Sequence, residues 1–283
     1  MITVLNPGIY STIQDLGRPS FAHIGVPISG VMDLYSAKIG NQILNNASND
    51  AVIEITFGGC QFRFNKSTWI CVTGADFDST INGVELAMNS LVKVEKDAMI
   101  AFGKRVKGVR TYLCVQGGIQ SDTVLKSKSY YKGITPRFLL RKGDELKLGT
   151  NSTEIEETHS KIKMNTTHFT SNTMVCSKGP EFNLLSDAQQ KILTKNLFTI
   201  SNDNNRTGYR LEEQVKNNLD SILTSGVLPG TVQLTPSGIL IVLMRDCQVT
   251  GGYPRVLQLT ESAINQMAQK TTHDTFQFIL KNE

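Results

Sequence analysis

Short apolar runs with strand spacing recur along this chain, each closed by glycine, proline or polar residues. "TWICVTGAD" (68–76), "SLVKVEKDAMIAFG" (90–103) and "VRTYLCVQGG" (109–118) follow one another with short polar breaks. Between the first two, "STINGVELA" carries Asn82-Gly83 within flanking alternation, the pattern of a two-residue hairpin. Later come "TMVCSKGP", "LFTIS", "GTVQLTPSG", "ILIVLMRD", "RVLQLT" and "TFQFIL". Frequent short strands with glycine-bearing turns predict a mainly β, closed or sandwiched architecture and not alternating β-α units.

Helical spacing is confined to three places. Residues 33–45 open on a good N-cap, Asp33, and set Leu34, Ala37, Asn41 and Leu44 along one side. Ser186 and Gln189 match a capping box opening a second helix, and 261–269 is a third, with Ile264, Met267 and Ala268 apolar. Between 150 and 173 the chain turns polar, rich in Thr, Asn, Ser and Glu, with little that could form a core. The expected division is therefore a half over 1–150, a polar seam over 151–173 and a half over 174–283, with exchange of strands between halves left open.

Composition narrows the classes. The 283 residues suffice for one large domain or two smaller ones, and 40% hydrophobic with 19% charged residues is ordinary for a globular protein. The net charge of +4 comes from scattered cations with no basic run, which argues against a nucleic-acid partner. No apolar stretch has the length of a membrane span, and the amino terminus does not read as a secretory signal. Cys60, Cys71, Cys114, Cys176 and Cys247 are odd in number, widely spaced and mostly in strand-like text. They are expected to be buried thiols of a cytoplasmic protein, neither a disulfide frame nor a zinc site. The four histidines, at 23, 159, 168 and 273, show no ligand spacing, so no metal site is expected. Phosphate-loop, zinc-protease, nucleophile-elbow and dinucleotide motifs are absent from the sequence. "KIKMN" (161–165) lacks the glycine-bounded hairpin of a biotin-attachment site.

Four stretches concentrate chemistry. "STIQDLGRPSFAHIGVPISGVMD" (11–33) sets Gln14, Asp15, Arg18, His23 and Ser29 in a backbone fixed by glycines and prolines. It is either a polar site or an ordered loop in which Asp15 makes an Asx turn and Arg18 pairs a carboxylate. "EITFGGCQF" (54–62) interrupts strand text with Gly58-Gly59, as a turn or as a backbone approached by a ligand. "NNRTGYRLEE" (204–213) offers Arg206 and Arg210, for an anion or for surface ion pairs. In "TPSGILIVLMRDCQVTGGYPRV" (235–256), Asp246, Gln248, Thr250, Tyr253 and Arg255 follow a buried strand, where rigid scaffold hands over to loop. The stretches 11–33 and 235–256 are expected to share a polar recess.

These blocks, in order with "NQILNNASNDAVIEITFGGCQFRF" and "YLCVQGGI", resemble the 5-oxoprolinase C-subunit family over about residues 2–270. That family includes KipA-type proteins and the second carboxyltransferase segment of urea amidolyase. The resemblance implies two cyclophilin-like β-barrel domains in one chain. It also implies a polypeptide that, with subunits A and B (the latter KipI-like), opens 5-oxoproline to glutamate using ATP, and that is inactive alone. Alternatives are a biotin-dependent carboxyltransferase component acting on urea or a related amide, and a non-catalytic regulator that binds an inhibitor of a sensor kinase.

For such chemistry the residue types assign proton handling to Asp15, His23 and Asp246. Substrate contacts fall to Gln14, Arg18, Ser29, Gln248, Thr250, Tyr253 and Arg255. ATP contacts fall to Arg206 and Arg210, with partner subunits as the other location for the nucleotide. One departure stands out: where relatives are glycine-rich, this chain reads "VLKSKSYYKGITPRFLLRKGDEL", with Lys126 near an expected glycine.

Overall fold

The computed structural model describes residues 1–150 and 165–281, so His159 and most of "KIKMN" lie outside the described residues. The protein is mainly β, with 38% strand and 13% helix. Two compact units emerge. One comprises Met1–Arg18 and Asp33–Thr166, the other Pro19–Met32 and Thr167–Glu283. The units are thus not contiguous in sequence: the chain leaves the first after Arg18 and re-enters it at Asp33.

In the first unit, a five-stranded sheet runs in the order Tyr10–Gln14, Val52–Thr56, Lys107–Val115, Thr68–Asp76, Val92–Val94. A seven-stranded sheet runs Ile119–Gln120, Glu145–Leu148, Ile2–Pro7, Cys60–Phe64, Met99–Ala101, Thr80–Ile81, Val84–Glu85. Alternation decides which side faces in: Cys60, Phe62 and Phe64 are buried while Gln61 and Arg63 point to water. The inner faces of both sheets supply one core, including Val4, Phe62 and Ile100 from one and Ile13, Ile53, Val72 and Leu113 from the other. Residues 130–144 bridge the sheets, Tyr130 and Leu140 donating backbone N–H bonds to Ile13 and Ser11, and Gly143 to Val4. The first unit therefore encloses its core between two sheets joined by that strap.

Gly58 and Gly59 serve the turn that carries the chain from one sheet to the other. Both have positive φ, and a Cβ on Gly58 would meet the Gly103 carbonyl. Asn82-Gly83 forms the expected hairpin, with φ of 50° and 83°. The helix Leu34–Ile43 opens on Asp33, whose carboxylate accepts from the Ser36 N–H. It presents small residues to the outer face of the five-stranded sheet. A side chain at Gly40 would collide with Cys114 Sγ.

In the second unit the strands Thr173–Lys178, Arg255–Leu259, Thr231–Leu234, Ile239–Leu243, Gly208–Gln214, Phe198–Asn204 and Thr275–Leu280 close into a barrel. The ring is sealed by a parallel pairing of Thr173–Lys178 with Thr275–Leu280. Phe198, Phe276 and Phe278 fill the interior with tilted and edge-on ring contacts. The capping box at Ser186 and Gln189 opens the helix Asp187–Lys195, and Thr260 caps Glu261–Met267. Met32, at the end of the Pro19–Met32 excursion, contributes its side chain to this core.

A strained turn sits in the glycine-poor stretch of the first unit. Val124 and Ser127 exchange backbone hydrogen bonds around Leu125 and Lys126, whose φ values are 51° and 63°. Two consecutive left-handed residues define the turn type that asparagine and glycine occupy at little cost and other residues only with strain. Leu125→Asn combined with Lys126→Gly is expected to stabilise the protein by about 1 kcal/mol. Equilibrium urea unfolding reads this as a higher midpoint at unchanged slope, and an unmoved or lower midpoint would contradict the strain.

Candidate functional site

The outer face of the five-stranded sheet is polar although buried. Strand register places Thr12, Glu54, Tyr112 and Thr73 in one cross-strand row, all inaccessible to solvent. Tyr112 Oη donates to Glu54 Oε2 at 3.0 Å and accepts the Asp33 N–H at 2.8 Å. Asp33 in turn accepts from Ser36 Oγ at 2.6 Å, and Thr73 Oγ1 donates to the Ser36 carbonyl at 2.8 Å. A helix cap, a phenol and a carboxylate are thus held in one network. Burial, with the Glu54 and Asp33 charges behind it, pushes the Tyr112 phenol well above its ordinary range, so it stays a donor.

The edge strand of that sheet carries Gln14 and leads into Asp15 and Arg18. Gln14 Nε2 donates to Thr12 Oγ1 at 3.0 Å and to the Tyr130 carbonyl at 3.2 Å. Its Oε1 is buried without a hydrogen-bond partner among the described residues. An unanswered buried acceptor costs about 1–3 kcal/mol and is rare in native proteins. The Asp15 carboxylate is the opposite case. It accepts from Ser127 Oγ and Ser129 Oγ, each at 2.6 Å, from the Lys128 N–H at 2.7 Å and from the Gly17 N–H at 2.8 Å. These donors fasten the 127–129 segment to the end of the edge strand. The fully buried Arg18 donates to the Ser129 carbonyl.

In the second unit, Ser29 and Asp246 come together as part of a second buried cluster. Arg206 meets Asp246 in two-pronged fashion, Nε to Oδ2 at 2.7 Å and Nη2 to Oδ1 at 2.9 Å. The same Nη2 donates to the Gly30 carbonyl at 2.6 Å, and Ser29 Oγ donates to Asp246 Oδ1 at 2.6 Å. Ser29 itself is left-handed, with φ 58°, and its N–H binds the Arg245 carbonyl. Arg245, buried, binds Glu261, Asn265 and the Met32 carbonyl.

The remaining expected site residues have surroundings of their own. His23 is exposed on the short turn Ala22–Ile24, and Gln248 is exposed. Thr250–Gly251 pairs with Ser225–Gly226 in a two-stranded ribbon, and Tyr253 is 38% exposed beside it. Arg255 is occupied by Glu181, Nη2 to Oε1 at 2.8 Å and Nε to Oε2 at 3.0 Å, while Nη1 donates to the Gly226 carbonyl. The glycines and arginine of "QVTGGYPRV" therefore build a ribbon and an ion pair. Arg210 pairs with the exposed Asp203 at 2.8 Å. Of the expected recess, Ser29 and Asp246 meet within the second unit; Gln14, Asp15 and Arg18 belong to the first.

Glu54, Tyr112 and Glu181 escape a reading by motif. The available signal was Glu54 itself, a lone acid inside the apolar run "AVIEIT". All five cysteines are buried, and burial pushes the thiols of Cys60, Cys71, Cys176 and Cys247 up to about 12, leaving no thiolate nucleophile at neutral pH. Among the described residues no group of three or more His, Cys, Asp or Glu could hold a metal ion, and no helix is long and apolar enough to cross a membrane.

A family model, the carboxyltransferase domain with subdomains A and B, matches residues 24–280. The chain is similar to the C subunit of 5-oxoprolinase from Escherichia coli (strain K12), 30% identical over 276 residues, which span 95% of this chain and 87% of the relative. The 5-oxoprolinase C subunit of Haemophilus influenzae is 29% identical over 289 residues, 98% of this chain and 90% of the relative. Urea amidolyase of Saccharomyces cerevisiae is 35% identical over 156 residues, 53% of this chain but 8% of the relative. The solved structure of the K. lactis urea amidolyase shares the fold, with a TM-score of 0.87 at 24% identity, covering 99% of this chain and 19% of that one.

Two measurements test the geometry. Asp246→Ala leaves Arg206 buried without its counter-charge and is expected to cost about 3–5 kcal/mol, while Arg206→Met with Asp246→Leu recovers much of the loss. Thermal unfolding reads both, and a double variant no better than the single would refute the pairing. Arg255 holds the Glu181 carboxyl below its ordinary range, so this pair's stabilisation is complete above the unfolded-state pKa and is lost as pH falls through the lowered folded-state value. The stability gap between wild type and Glu181→Gln is therefore expected to shrink below about pH 4; a gap independent of pH would show that Glu181 does not act through its charge.

Proposed function

Because the chain belongs to the carboxyltransferase-domain family, subdomains A and B, we propose that it is the C subunit of an ATP-dependent 5-oxoprolinase, opening 5-oxoproline to L-glutamate with partner subunits A and B. Two-sided coverage carries this reading. The two bacterial 5-oxoprolinase C subunits match 95% and 98% of this chain and are themselves covered to 87% and 90%. The fungal urea amidolyase is covered to 8%.

A lactam is a poor electrophile. Its oxygen must be activated, the developing negative charge must meet donors, and a proton must be managed at the ring nitrogen. Gln14 Oε1, a buried acceptor lacking a donor among the described residues, suits an amide N–H. Glu54, oriented by Tyr112 Oη, suits holding a proton. Tyr112 acts through Glu54 and is a positioning residue. Arg18, buried in the same unit as Gln14, contributes positive charge that favours an anionic substrate.

ATP fits poorly on the residues first assigned to it. Arg206 is committed to Asp246 and Gly30, so its guanidinium is not offered to a triphosphate, and Arg210 stands on the surface beside Asp203. No step in this chain runs through the nucleotide, and its binding is assigned to the partner subunits. A second reading, carboxyl transfer from a biotin group carried by another chain to urea or a related amide, is favoured by the matching family description and by the fold shared with urea amidolyase.

The test is assembly with subunits A and B, followed by ATP-dependent glutamate formation from 5-oxoproline. Glu54→Gln is expected to lower the rate by about 10²-fold with the melting temperature unchanged. An assembly that makes no glutamate, where a matched homologous C subunit does, would dispose of the proposal. Carboxylation of urea on adding bicarbonate and a biotin carrier would select the second reading.

A further inference from the structure

The strap over 130–144 carries a charge imbalance that the first unit's fold does not use. Lys132, Arg137, Arg141 and Lys142 are all exposed. Arg137 and Arg141 line a hollow of about 170 Å3 together with Pro136, Phe138, Leu139 and Asp144, and Lys142 follows Arg141 in the chain. Lys132 Nζ lies over the Phe138 ring, 6.0 Å from its centroid, which keeps a cation beside the aromatic wall. The carboxylate in this group, Asp144, is turned inward. Its Oδ1 accepts from Arg137 Nη1 at 3.1 Å and its Oδ2 from the Arg141 N–H at 2.8 Å. Backbone bonds to Val4 and Ser11 tie the strap to both sheets, so the cations stand on a fixed platform. The Arg141 and Lys142 side chains make no ion pair or hydrogen bond among the described residues.

We propose that this hollow docks an acidic segment of a partner polypeptide. One carboxylate side chain enters beside Arg137 and Arg141, and an apolar neighbour rests on Phe138 and Leu139. Guanidinium forks match a carboxylate in two-pronged geometry, and an exposed ring beside them serves the apolar part of the same segment. Charge complementarity selects the occupant: within the strap four exposed cations stand against one carboxylate, Asp144, that is already engaged. A single small anion meets one or two of these cations, whereas an extended acidic chain engages all four and is drawn in by their combined field. The proposal does not depend on the reaction proposed above.

The test uses the full chain and a fluorescein-labelled peptide of glutamate and leucine, with its glutamine counterpart as control, followed by anisotropy. The acidic peptide is expected to bind at least ~10-fold more tightly than the control, and Arg141→Glu with Lys142→Glu to remove that advantage at an unchanged melting temperature. Lys104→Glu with Arg105→Glu, an equal charge reversal at exposed positions in another turn of the same unit, is expected to change affinity less than about twofold. Equal binding of the two peptides, or equal losses in the two variants, would overturn the proposal by reducing the effect to net charge. Displacement of the peptide by millimolar free glutamate would overturn it in favour of a small-anion site.

Discussion

The second unit depends on one ion pair. Arg206 and Asp246 meet in a two-pronged contact with side chains only 7% and 12% exposed, and Arg206 Nη2 also donates to the Gly30 carbonyl. Taking two charges out of water costs several kcal/mol per ion, and their attraction compensates only when every remaining donor and acceptor is answered. Here Ser29 answers the second lobe of Asp246. The residues supplying those answers come from a segment more than two hundred positions away in sequence, since Ser29 and Asp246 are separated by 217 residues. The pair therefore holds Pro19–Met32 as part of the barrel unit, and Met32 follows into its core. A buried pair is by itself a weak source of stability, but any other placement of that segment takes one hydrogen bond each from the buried Arg206 and Asp246.

The same logic, with a different ending, applies on the polar face of the five-stranded sheet. Asp15 accepts four hydrogen bonds, whereas Gln14, one residue earlier, keeps a buried acceptor without a donor among the described residues. Neighbouring positions at one strand end thus differ in how fully their polar atoms are answered. Residue type alone pointed to Asp15 as the reactive member of the two. Satisfaction of hydrogen bonds, a property of the folded chain, distinguishes the two in a way that residue type does not.

Local features were legible in the sequence and distant partners were not. The Asn82-Gly83 hairpin, the Asp33 cap, the capping box at Ser186 and the Asx turn from Asp15 to the Gly17 N–H are set by residues within three or four positions of one another. Their chemistry can be read directly from spacing. Arg255 was singled out by its setting, but its partner Glu181 lies 74 positions away in a stretch with no distinguishing pattern. Glu54 finds Tyr112 across 58 positions, through a strand register that composition does not encode. The allocation of Pro19–Met32 to the second unit was hidden for the same reason.

The stretch that departs from its relatives joins these themes. Leu125 and Lys126 accept left-handed backbone that glycine would take without strain, and the residues just beyond them, Ser127 to Ser129, are the ones that fasten Asp15. Strain of this kind persists only where the surroundings over-determine the conformation, and four hydrogen bonds onto one carboxylate are such surroundings. The turn therefore keeps its shape without glycine. Further along, the strap carries Lys132, Arg137, Arg141 and Lys142, exposed on a segment that is tied to both sheets. Charge on a rigid base suits contact with another chain better than closure over a ligand, because closure needs backbone freedom that this segment lacks.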